Sequence, residues 1–130
     1  MKVRWTGDSL RLRITPGELA ALERGEPVSE GLAFPGGGGW AVRLDPAAAR
    51  AGVAWAEGVA RVGLTAAEVR RLAAPEAEGV YPHTPELRLL VEKDFPCAHP
   101  HAPEAREPAT ERFPPTAAFL DRKTGDAARD

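Results

Sequence analysis

The pattern of residues 5–22 comes back 50 positions later, and this recurrence constrains the fold more than any other feature of the chain. Trp5 answers to Trp55, Thr15 to Thr65, Glu18 to Glu68, Leu19 to Val69 and Leu22 to Leu72. Between them Leu10, Leu12 and Ile14 answer to Ala60, Val62 and Leu64, with Arg11 over Arg61. Each stretch alternates apolar with polar residues, the period of a half-buried strand. Each then turns over two residues, Gly7-Asp8 in the first and Glu57-Gly58 in the second; the first is expected as a type II′ turn with Gly7 at positive φ. Setting Trp5 opposite Leu10 and Trp55 opposite Ala60 puts each aromatic on the apolar face of its hairpin. Thr15-Pro16-Gly17-Glu18 reads as a capping box opening a short helix that stops at Gly25. Residues 66–74 form its counterpart.

Further strands are expected at 28–34 and 40–44, on either side of Pro35 and the run Gly36 to Gly39, and again at 79–81 and 86–92. The predicted fold class is therefore α+β: duplicated β-β-α-β-β units, about 1–46 and 51–95, forming a curved antiparallel sheet or open barrel with two short helices. The alternative is a chance likeness between two amphipathic hairpins. Neither half can bury enough apolar surface alone, so the two are expected to pack about a pseudo-two-fold axis within a single domain, residues 1–95. Beyond Phe95 the composition shifts, and residues 96–130 hold six of the 13 prolines. That stretch is expected to be a Pro-rich extension with little regular structure, able to dock through Phe113, Phe119 and Leu120 on the domain or on a second subunit.

Charge and composition bound the function. With 130 residues, 43% hydrophobic and 28% charged, the chain suits one modest core and neither a disordered nor a coiled-coil protein. No apolar run approaches the roughly 20 residues of a membrane-spanning helix. Residues 1–14 alternate cations with apolar residues and offer no signal-peptide core, and there is one Cys, so a cytoplasmic protein is expected. A formal net charge of −2 makes nucleic-acid binding through bulk charge an unfavoured role.

Three features can carry chemistry. Cys97-Ala98-His99-Pro100-His101, with Asp94 upstream, gathers the thiolate, imidazole and carboxylate donors that zinc or another transition metal takes; Asp94, Cys97, His99 and His101 are the candidate ligands. The set lacks a second Cys or a helical His pair, so a surface tail with ordinary histidines is the competing account. Cys97 alone, with His99 or His83 as base, would suit a small thiol-dependent hydrolase, though no third group is assignable. The last feature is a cationic face: if the apolar alternation points inward, Lys2, Arg4, Arg11, Arg13, Arg43, Arg61 and Arg88 point outward. Guanidinium groups grip phosphate and carboxylate in two-point contacts, so Arg4, Arg11, Arg13, Arg43, Arg61 and Arg88 are candidate anion ligands. A merely solvated face is the competing account. The glycine run lacks the Lys-Ser/Thr of a phosphate loop and reads as a hairpin tip. Glu18 and Glu68 are explained by capping.

Two blocks carry a resemblance. One is Lys2-Val3-Arg4 through Gly7-Asp8-Ser9-Leu10-Arg11-Leu12-Arg13, followed by Thr15 and a helix. The other runs from Leu87 to Cys97 and contains Val91-Glu92-Lys93-Asp94-Phe95-Pro96-Cys97, with Phe113-Pro114 a third short match. Together they resemble a family of small uncharacterised bacterial proteins classed as a domain of unknown function. The resemblance implies a bacterial cytoplasmic protein of about this length, supplies no activity, and directs attention to Glu92, Lys93, Asp94 and Cys97. The expected function is a non-enzymatic binding or interaction module with a metal or thiol site at Cys97. Anion binding on the arginine face is the alternative, and the tail leaves room for a homodimer.

Overall fold

The computed structural model describes residues 1–96 and 113–127. Strand β1 (Lys2–Thr6) folds back on β2 (Ser9–Ile14) with Trp5 opposite Leu10, and β5 (Gly52–Ala56) folds back on β6 (Val59–Gly63) with Trp55 opposite Ala60. The two turns differ. Glu57 and Gly58 both take positive φ, 54° and 77°, as a type I′ turn requires. Gly7 does not take positive φ, so its turn is not type II′; the hydroxyls of Thr6 and Ser9 instead bond to each other across it.

Helices α1 (Pro16–Glu23) and α2 (Ala66–Ala73) both open on complete capping boxes. Thr15 Oγ1 accepts from the Glu18 N–H at 3.2 Å while the Thr15 N–H donates to Glu18 Oε1 at 3.0 Å, and Thr65 with Glu68 does the same at 3.2 and 2.8 Å. Helix α1 ends where Gly25 turns to φ 81° and the N–H groups of Gly25 and Glu26 reach back to Leu22 and Ala21. That left-handed closure is one glycine adopts without steric cost.

The sheet arrangement corrects the expectation of an all-antiparallel sheet or barrel. After α1 the chain does not return beside β2. Its next hairpin, β3 (Val28–Ala33) and β4 (Gly39–Asp45), joins β6 and β5 in a second sheet, ordered β3-β4-β6-β5. The last strands, β7 (Gly79–Val80) and β8 (Arg88–Lys93), come back to the first sheet, ordered β1-β2-β8-β7. Both sheets are mixed: β2 runs parallel to β8 and β4 parallel to β6, with antiparallel hairpins outside. Each helix carries the chain from one sheet to the other, and a crossover of that kind is what permits a parallel central pair. The result is an α+β fold of two four-stranded sheets that do not close into a barrel.

The apolar faces of the sheets share one core. Leu10, Leu12, Ile14, Leu89 and Val91 from the first meet Val42, Leu44, Ala60 and Val62 from the second, with Leu19, Leu22, Val69 and Leu72 from the helices. Trp5 and Trp55 lie on the predicted face yet remain 52% and 61% exposed. Both belong to outer strands, so no further strand covers them.

The tail departs from the irregular backbone expected of it. Helix α3 (Ala117–Ala127) follows Thr116, whose hydroxyl accepts the Phe119 N–H at 3.2 Å as an N-cap. All six tail prolines precede Thr116, so the helix itself is free of them. The tail meets the sheets through Phe95, whose ring lies 6.2 Å from Phe113 and 4.8 Å from Phe119. The Phe113 N–H donates to the Asp94 carbonyl at 3.0 Å, and Arg122 pairs with Glu78 at 2.5 Å.

Candidate anion-binding face

On the first sheet the core takes Val3, Leu10, Leu12, Leu89 and Val91, so alternation sends Lys2, Arg4, Arg11, Arg13 and Arg88 to the opposite face. The hairpin register then sets like charges opposite one another: Lys2 pairs with Arg13, and Arg4 with Arg11. Two of these cations are matched by carboxylates at the end of β8. Lys2 Nζ lies 3.4 Å from Asp94, and Arg11 Nε lies 2.8 Å from Glu92 in an ion contact whose N–H is not aligned as a hydrogen bond. The Tyr81 hydroxyl also donates to Glu92, at 3.3 Å. Burial, followed by the Glu92 charge, pushes that hydroxyl above its ordinary pKa. Arg4, Arg13 and Arg88 are exposed and make no ion pair among the described residues.

Arg43 and Arg61 lie elsewhere. They are side by side in register, but on the second sheet, on strands β4 and β6. The single outward surface expected for all seven cations is thus divided five to two between the sheets.

The block Glu92-Lys93-Asp94 splits two ways. Glu92 and Asp94 turn to the cationic face, while Lys93 turns into the molecule, only 6% exposed. Its Nζ donates to the Ala74 carbonyl at the end of α2 at 2.8 Å and lies 5.5 Å from the Phe113 ring centre. A lysine there satisfies a carbonyl left over at the helix C-terminus and complements its dipole. Burial holds the Lys93 amine below its ordinary pKa.

Of the predicted metal ligands, Cys97, His99 and His101 lie outside the described residues. Asp94 is buried beside Lys2, and no group of three or more metal-binding side chains occurs among the described residues. Glu92 and Tyr81 were not singled out from the sequence as parts of this face. Alternation from Arg88 does turn Glu92 outward, but only the parallel pairing of β8 with β2 brings it to Arg11, and nothing local announces that pairing.

The model of a family of unknown function, DUF7009, matches residues 1–114. The chain belongs to this family. The DUF7009 region contains both sheets, the Glu92-Lys93-Asp94 block and the docked Phe113, and it stops short of α3. No curated protein and no solved structure matches the chain. Among the described residues no helix is long and apolar enough to cross a membrane.

Proposed function

We propose that this DUF7009 protein is a non-enzymatic binding module of the bacterial cytosol, and that it receives carboxylate or phosphate groups on the outer face of its first sheet. The observation that carries this reading is the pair of like-charge cross-strand neighbours, Lys2 with Arg13 and Arg4 with Arg11. Like charges directly opposite in a sheet are destabilising, by about 1 kcal/mol or less per pair in a water-like dielectric. Glu92 and Asp94 relieve one member of each pair and leave Arg4 and Arg13. A bound anion between the remaining guanidinium groups converts that repulsion into two-point attraction. The face is four strands wide, which suits a partner bearing several anionic groups better than one small ligand.

The test is a titration with an oligoglutamate peptide. Wild-type protein is expected to bind with an affinity that falls as salt rises, and replacing both Arg4 and Arg13 with Gln is expected to weaken binding about tenfold or more. Without peptide the double variant should be as stable as wild type or slightly more so, because its removal of charge relieves repulsion. A destabilised variant that binds the peptide normally would assign these arginines to the fold and refute the proposal.

A further inference from the structure

The second sheet ends at β5, an outer strand bonded only to β6. Past β5 the chain runs from β7 toward β8. Strand β7 is only two residues long, whereas β3, which holds the same place in the other sheet, is six. Pro82 and Pro85 explain the short strand, since neither has an N–H to continue a ladder. On the β7 side an open cleft of about 380 Å³ remains, lined among others by Arg50, Val53, Arg61, His83, Pro85 and Glu86. That volume falls within the range of small-molecule sites.

The walls of the cleft are built differently. On one side, Gly52 and Ala54 lie on the same face of β5 as Arg61 on β6, and their small side chains leave the space above them to the guanidinium group. On the other, buried Thr84 donates its hydroxyl to the Leu87 carbonyl and fixes the turn that carries His83 and Glu86. Arg50 and Arg61 make no ion pair among the described residues, and Arg43 stands beside Arg61 in register. Two guanidinium groups and an imidazole thus face a single carboxylate.

The geometry points to this cleft as a binding site for a small molecule bearing a phosphate or carboxylate group. Arg50 and Arg61 hold the anionic group, and Glu86 accepts a hydrogen bond from a hydroxyl or ammonium group elsewhere on the ligand. The site is independent of the outer face of the first sheet, because none of its lining residues belongs to β1, β2 or β8.

The probes are inorganic phosphate and citrate, compared with chloride at matched ionic strength on the full chain. One of the two is expected to raise Tm by about 5 °C at roughly ten times its Kd, and the anion that does so names the ligand class. The rise should disappear in Arg50→Gln, in Arg61→Gln and in Ala54→Leu, which fills the cleft without removing a charge, and should persist in Arg70→Gln at an exposed position of α2. Arginine-directed labelling of the wild-type protein avoids any dependence on variant folding. The effective anion is expected to slow modification of Arg50 and Arg61 severalfold, leaving Arg70 unchanged. An undiminished Tm rise in Arg61→Gln would mean general salt stabilisation, and protection confined to Arg4 and Arg13 would place the anion on the other sheet. Either result, or no response to both anions, overturns the cleft as a site.

Discussion

Lys93 is a cation turned into the core side of a sheet, and its contacts give it a definite pH signature. Its folded pKa lies below the ordinary 10.5 because burial disfavours the charged form. As pH rises through the folded value toward 10.5, the unfolded chain holds the proton that the folded chain has lost, so the lysine's contribution to stability rises across that window. Tyr81 works in the opposite direction above its ordinary 10.0, since its folded hydroxyl keeps the proton longer. Comparing wild type with Lys93→Met cancels the tyrosine. Urea unfolding at pH 7 should show the variant less stable by about 1–3 kcal/mol, because the Ala74 carbonyl loses its donor. The difference should widen as pH rises toward 10.5, in the direction fixed by linkage; a constant difference would contradict the buried-amine account. Thr65→Ala tests a second residue. Loss of its capping box, which also holds the nearly buried Glu68, should cost about 1 kcal/mol in the same assay.

At the scale of elements, what was legible in the sequence had a local physical cause. Both capping boxes, both two-residue turns and the Trp5–Leu10 and Trp55–Ala60 registers follow from residues within a few positions of one another. The type of the Gly7 turn was missed because glycine permits positive φ without requiring it. Helix α3 is not legible in the average composition of residues 96–130, because all six prolines of that stretch lie at or before Pro115 and leave the helix free of them. Its attachment is mainly aromatic. The Arg122–Glu78 pair is largely exposed on the arginine side, at 63%, and contacts of that kind contribute roughly 0–1 kcal/mol. Phe119→Ala is therefore expected to speed amide exchange in residues 117–127 while leaving β2 and β8 protected, whereas Arg122→Ala should change little. Equal effects of the two variants would show that the ion pair, and not Phe95, holds the helix.

At the scale of the whole molecule, the halves are interleaved. Each sheet takes one hairpin from residues 1–45 and another from residues 52–93, joined by a parallel pair at its centre. Hydrophobic alternation made the inner and outer faces of each strand readable, and with them the outward cations. It said nothing about which hairpin lies beside which, because period-two patterns fit a parallel neighbour as well as an antiparallel one. The candidate site suffered in the same way: each arginine was assigned its face, but the division between two sheets and the match of Arg11 to Glu92 depend on long-range pairing. A fragment of residues 1–50 should accordingly lack dispersed amide resonances, since neither of its hairpins has a central neighbour, and adding residues 51–130 should restore them. A fragment that folds alone would contradict the interleaved arrangement.

The measurement that bears most directly on the proposed function is an amide chemical-shift map of the intact protein titrated with an oligoglutamate peptide. The account predicts saturable shifts along Lys2–Thr6, Ser9–Ile14 and Arg88–Lys93, lost when Arg4 and Arg13 are both replaced by Gln. Shifts confined to the second sheet, or no saturable shift at low salt, would contradict it.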